Sequence, residues 1–382
     1  MTPYRRMTAL WISLLVWGLL VWGGLARATP FFSRTYHFPC VTCHSGFPRL
    51  NAFGLAFKAN DFRIPGAEKT APLAWQKTIP LAMQIMPTSE VFGPGTVQAP
   101  FTDSQILAGG LLTRSTAFYV HHSEWIDAKP LEFPSYEVWV QQVLSERQKI
   151  MLKAGQFELP FAYSPGINRT TVFTPLIFGV GLQGNDPRLG SAVRGLQLSG
   201  RAPRLLRWYV ASGAPSVLTP GNTNGHREFF GEFPDVFLRV CTPDLEREIG
   251  LFTYLTQSPR NPADTSAEQH GQRYGLDARW LWRGNQVFGT FVYGEDSDPT
   301  GKGKKGVLRG GFIEVDRQIQ PWWGLAARWE TQSSNNGAGR VYSDARTLSL
   351  RVYMSQNVKL IGEYQSLAHH RYATALAAAI TF

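Results

Sequence analysis

From Ile79 to the C terminus the chain repeats one pattern. Short segments alternate apolar and polar residues, and clusters of Gly, Pro, Asn, Asp and Ser separate them. Side chains on a strand point to opposite faces in turn, so the pattern predicts strands with one apolar and one polar face. In residues 347–354, Leu348, Leu350, Val352 and Met354 share one face; Thr347, Ser349, Arg351 and Tyr353 share the other. Residues 358–365 set Val358, Leu360, Gly362 and Tyr364 against Lys359, Glu363 and Gln365. Residues 275–282 and 324–330 divide in the same way, with Asp277, Arg279, Arg328 and Glu330 on the polar side.

A soluble sandwich also alternates, and three further features favour a barrel in a membrane. The segments run to ~8–11 residues, the length of a tilted span. Connections alternate between short and long. Short ones fall near 113–115, 145–148, 200–205, 242–247, 283–285, 317–321 and 355–357. Long ones fall near 87–103, 126–134, 158–190, 214–235, 257–271, 294–306 and 331–344; the last, near 366–371, is brief. Short turns on the periplasmic side and long external loops are the habit of outer-membrane barrels. The chain also ends on Phe382 after an alternating stretch, which resembles the recognition signal of such barrels.

The expected fold is therefore mainly β: a transmembrane antiparallel barrel of about sixteen strands over residues 76–382. Residues 106–112 and 307–316 give the weakest strand signal. Charged residues make up only 17% and aromatic residues 13%, which suits a lipid-facing band with aromatic girdles. A barrel this wide has a polar lumen able to hold a small plug. Ala373, Ala375, Ala377 and Ala379 share the lumen phase, either to leave room inside or because Ala fits a crowded strand.

The N terminus reads as an address. Arg5 and Arg6 precede an apolar run over 10–25, and Ala26-Arg27-Ala28 offers small residues for cleavage. Residues 1–28 are expected to be a signal peptide. Loss of Arg5, Arg6 and Arg27 would take three units from the formal charge of +10. No basic cluster with interleaved aromatics is present, which argues against a nucleic-acid partner. Three cysteines are too few for a disulfide scaffold.

Two of those cysteines form the sharpest chemical motif, Cys40-Val-Thr-Cys43-His44. C-x-x-C-H reads as attachment of one covalent haem c: two thioethers, with the adjacent His as axial iron ligand. A redox dithiol would sit in a βαβ pattern, which is absent here. A zinc site would need a second ligand pair, and the remaining cysteine is the distant Cys241. Residues 29–75 are expected to form a small monohaem module. Leu50, Phe53, Leu55 and Phe57 have helix-like spacing and would cover a haem face or form ordinary core. The second axial ligand is open among Met83, Met86, His37, His121 and His122.

A monohaem C-x-x-C-H module fused to an outer-membrane porin resembles the fused cytochrome–porin iron oxidases of Fe(II)-oxidising bacteria. The carrying residues are 40–44, the stretch 47–54 and the strand-rich remainder; Cys40, Cys43 and His44 transfer one by one. The resemblance implies a small N-terminal haem-bearing helical plug, at the periplasmic side of the barrel or inside its lumen. It implies oxidation of extracellular Fe(II) and delivery of electrons to a periplasmic carrier protein. Residues 154–161 are also similar to a stretch of phosphate-selective porins. Acidic loop residues suit transient Fe(II) binding, and Glu295, Asp296 and Asp298 form the densest external cluster, with His369-His370 another candidate. Three alternatives remain: a diffusion porin with a structural or sensing haem, a donor or acceptor other than iron, and a soluble enzyme with a β-sandwich domain.

Overall fold

The computed structural model describes residues 31–76, 79–93, 96–97, 101–125, 137–166, 168–182, 188–202, 204–215, 234–261, 264–300, 302–336, 339–368 and 371–381. The expected signal peptide and His369-His370 lie outside them.

Among the described residues, sixteen long strands close into one antiparallel barrel. They are β1 (Leu81–Phe92), β2 (Phe101–Thr113), β3 (Thr116–Trp125), β4 (Glu137–Ser145), β5 (Ile150–Phe157), β6 (Val193–Ala202), β7 (Leu206–Pro215) and β8 (Asp235–Cys241). They continue as β9 (Arg247–Asn261), β10 (Asp264–Trp282), β11 (Asn285–Asp296), β12 (Gly306–Gln320), β13 (Trp323–Asn335), β14 (Arg340–Tyr353), β15 (Val358–Leu367) and β16 (Arg371–Thr381). Each long strand pairs with its sequence neighbours, and β16 pairs back onto β1 with Ala377 opposite Thr88. Closure satisfies the backbone of both end strands, which an open sheet would leave as edges.

The alternation sorts the two faces. Thr347, Ser349 and Arg351 of β14 are buried in the lumen, while Leu348 and Leu350 are exposed outward. The same holds for Asp277 and Arg279 against Leu276 and Trp280, and for the buried Ala373, Ala375, Ala377 and Ala379 against Leu376. The outward phase thus forms an exposed apolar belt, a surface that water alone would disfavour. Trp280, Trp282 and Trp322 stand at one end of it, and Tyr293, Tyr342, Tyr364 and Tyr372 toward the other.

Tight turns join the strands at the tryptophan end. Arg283 (φ 46°) and Gly284 (φ 80°) join β10 to β11 with both residues left-handed, the backbone that a two-residue hairpin turn requires. At the other end the expected loops 257–271 and 331–344 turn out to be mostly strand. Pro259 pairs with Glu268, and Asn335 with Arg340. These hairpins carry the backbone ladder past most of the apolar belt. The ladder continues there although the alternation that signals a strand has ended. Residues 106–112 and 307–316 do fall in strands, β2 and β12.

The connection from β5 to β6 folds inward. Its backbone donors end on carboxylates of the opposite wall: Ala162 N on Asp277 (2.5 Å), Val172 N and Phe173 N on Glu363 (both 2.8 Å), and Leu176 N on Glu330 (2.6 Å). The wall thereby satisfies a buried connection whose amides would otherwise lack acceptors.

Residues 31–76 also pack against lumen-phase side chains. They comprise α1 (Phe31–Tyr36), a 3-10 turn over Cys40–Thr42, a short hairpin of His44–Gly46 with Arg49–Leu50, and α2 (Ala52–Ala59). Phe62 stacks near Trp139 of β4, ring centroids 5.8 Å apart. Gln286 of β11 donates to Ser45 Oγ (2.8 Å) and to the Leu50 carbonyl (2.9 Å). Arg63 reaches Glu146 in the β4–β5 turn (2.6 Å), and Lys149 of that turn reaches Asn60 (3.2 Å). The segment therefore packs against the wall at the tight-turn end of the lumen.

Candidate cofactor site

The motif sits where the hairpin meets α2. Cys43 N bonds back to the Cys40 carbonyl (3.2 Å), which curls both thiols onto one short turn. Asn51 then ties the turn to the helix. Its Oδ1 caps α2 by accepting from Gly54 N (2.9 Å), and its Nδ2 donates to the carbonyls of Val41 and Thr42 (both 3.1 Å). Asn51 N bonds to the Cys43 carbonyl (2.9 Å). A Cβ on Gly54 would collide with that same carbonyl, so only glycine lets helix and motif approach this closely.

The His44 ring packs against Phe47, centroids 5.1 Å apart, and its Nδ1 lies 3.1 Å from the Pro48 carbonyl. Donation from Nδ1 to a carbonyl leaves the Nε2 lone pair free to ligate a metal, and it fixes the ring's orientation. Burial, with the Lys359 charge adding to it, holds the imidazole pKa down to about 4 despite the opposing backbone bonds to Pro48 and Arg49. The ring is thus the neutral form a metal requires. Burial pushes the Cys43 thiol up to about 11, helped by neighbouring Cys40, and raises the Cys40 thiol as well. Neither is an activated nucleophile of the kind a redox dithiol uses.

Both thiols and the His44 ring open onto a cavity of about 700 Å³ between residues 31–62 and the barrel wall. Phe31, Phe32, Phe38, Phe57 and Phe62 line one side of it. The barrel side is more polar, with Gln84, Gln105 and Gln156 among its side chains, and the space is large enough to admit an organic cofactor. Two thiols, a correctly oriented imidazole and apolar walls fit a covalent haem.

The wall divides the predicted sixth-ligand positions. Met86 of β1 and His121 of β3 line this cavity with His44, and His121 Nε2 lies 2.9 Å from Gln105 Oε1. Met83 belongs to the outward phase of β1 and is 41% exposed. His37 is exposed between α1 and the motif, and His122 has the opposite strand phase from His121; neither lines the cavity. These three side chains lie off the cavity that the motif opens onto, Met83 and His122 by strand phase and His37 by its exposed position after α1.

The acidic cluster also comes apart. Asp296 is buried in the lumen phase and held by Arg273 (2.7 and 3.0 Å). Glu295 points the other way, accepting from Tyr293 (2.6 Å), and Asp298 accepts from Lys302 N (2.9 Å). Adjacent strand residues face opposite sides, so the three do not converge. Among the described residues no three His, Cys, Asp or Glu side chains form a metal-ion site.

Asn51 and Gly54 are the site residues that sequence reasoning passed over as roles. The available signal was an Asn directly before an apolar helical run, a helix N-cap.

No family model matches the sequence, and no curated protein matches it. Solved structures do match. OmpT, an outer membrane protein of Vibrio cholerae, superposes with a TM-score of 0.54 at 9% identity, covering 79% of this chain and 98% of OmpT. Salmonella typhi OmpF, in a complex with daunomycin, gives 0.58 at 9% identity, covering 79% and 97%. An anion-selective porin from Comamonas acidovorans gives 0.57 at 10% identity, covering 79% and 99%. Identities this low establish a shared fold: the barrel is porin-like.

Proposed function

We propose that this chain is an outer-membrane cytochrome–porin of a Gram-negative bacterium, which takes electrons from extracellular Fe(II) and passes them, through one covalent haem, to a periplasmic one-electron carrier. One observation carries the reading: the C-x-x-C-H thiols and the His44 ring open together onto an apolar cavity inside a porin-like barrel. The apolar outward belt supports the membrane location.

Each chain residue then has a task. Cys40 and Cys43 form the thioethers that keep the haem from escaping. His44, its Nδ1 held by the Pro48 carbonyl, would be the residue that ligates the iron. The phenylalanine wall keeps water away. The haem, when bound, supplies a one-electron iron couple. Each Fe(II) becomes Fe(III) and gives up one electron, and the carrier gains that same electron; no atom is transferred. Insoluble Fe(III) is left outside. Tight turns face the periplasm in barrels of this kind, so the motif stands at the delivery side. Val41, between the two cysteines, is 71% exposed there.

The test is anaerobic mixing of purified, haem-loaded protein with Fe(II) while the haem absorption is followed. Reduction supports the reading. Haem that stays oxidised from acid to neutral pH rules out iron as donor, and protein matured without covalent haem rules out the cytochrome itself.

A further inference from the structure

Lys359 is a buried cation that forms no ion pair with a described carboxylate. It stands on the lumen face of β15, is 7% exposed, and lines the cavity beside the motif. Its Nζ reaches the Phe47 carbonyl at a long 3.4 Å and lies 5.6 Å from the Phe47 ring. Among the described residues no carboxylate pairs with it. The buried lumen arginines differ in having one: Arg49 with Glu314, Arg63 with Asp61, Arg273 with Asp296, Arg279 with Glu248, Arg328 with Glu330 and Arg351 with Asp316. Burying an ammonium without an anion is costly, so a position like this calls for an anion beyond those the described residues place within ion-pair distance.

The cavity's charge points the same way. Among the described residues Lys58, Arg169, Arg188 and Lys359 line it, against one acid, Glu90. Lys58 and Arg188 are exposed and solvated. Arg169 is partly buried on the inward-folded connection, and its placed bonds go to the Pro165 carbonyl (3.0 Å) and the Thr174 hydroxyl. The lining therefore suits a ligand that is apolar over most of its body and carries anionic groups at one edge.

Resting on the cytochrome reading above, we propose that Lys359 and Arg169 receive the two carboxylates of the haem, so that its carboxylate edge lies against β15 and the inward-folded connection. The pair are positioning residues: they orient the ring and add positive charge near the iron. Removing a cation there favours the oxidised, more positive iron and lowers the reduction potential.

The experiment compares haem-loaded wild type with Lys359→Met and Lys359→Arg. It reads the reduction potential and the propionate vibrations by resonance Raman spectroscopy. Lys359→Met is expected to keep covalent haem and its axial-ligand spectrum, to shift the propionate bands and to lower the potential; Lys359→Arg is expected to restore both. Arg169→Gln, placed on a connection instead of a wall strand, carries the same test should Lys359→Met fail to fold, with a smaller shift in the same direction. Unchanged potential and bands overturn the proposal. So does an altered axial-ligand spectrum, which would put Lys359 on the iron instead. Wild type without haem defeats the cytochrome reading itself, a separate outcome.

Discussion

Single atoms decide what the motif can do. The Pro48 carbonyl selects the His44 tautomer, Asn51 ties the cysteine turn to α2, and Gly54 permits the close approach. Together these three groups set where the His44 ring points. The same scale limits the sixth ligand. Met83→Leu, His37→Ala and His122→Ala are each expected to leave the haem absorption spectrum unchanged, because none of those side chains lines the cavity. A spectral change in any of the three would mean that the ligand comes from outside it, against the placement of Met86 and His121.

Among the elements, Arg49 joins the three parts of the lumen. It stands on the N-terminal hairpin and is 3% exposed. Its Nη2 meets Glu314 of β12 (2.5 Å) and Thr170 of the inward-folded connection (3.2 Å), while the Phe288 ring of β11 lies 4.2 Å from its guanidinium carbon. Arg49→Met would break this junction. Glu314 would keep Arg328 (3.1 Å) and Asp316 would keep Arg351 (2.6 Å), so neither carboxylate is left bare. The expected cost is about 2–3 kcal/mol, below the ~3–5 kcal/mol for an orphaned buried charge. Hydrogen exchange is the check. Protection should fall in residues 31–76 and in 168–176 together; loss in only one of them would mean that Arg49 does not bridge the two.

At the scale of the whole molecule, a sixteen-strand barrel has a lumen wide enough for an aqueous channel. Here the N-terminal segment and the β5–β6 connection both occupy it, each tied to wall residues around the circumference. In planar bilayers the full chain is expected to conduct at least about tenfold less than an open porin of this strand number. Deleting residues 31–76 should raise the conductance toward that of the open porin. Open-porin conductance from the intact chain would defeat the plug and revive a diffusion role. The barrel itself should show heat-modifiable migration on SDS gels in both forms.

Strand phase is local, so the sequence alone determined the two faces of β10, β13, β14 and β15, the short turns and the approximate strand number. The C-x-x-C-H motif is local too, and three cysteines in 382 residues left it little competition. Other features depend on residues far apart in the chain. Hairpins extend beyond most of the apolar belt because backbone pairing continues where the side-chain pattern stops. Glu295 and Asp296, adjacent in sequence, face opposite ways because they sit on a strand. Met86 and His121 share a cavity with His44 only because barrel closure brings β1 and β3 around the N-terminal segment. Lys359 read as one more lumen-phase polar residue until packing buried it with no described carboxylate in ion-pair distance. Periodicity specifies which way a side chain points; closure of the barrel around its own N terminus decides what it meets there.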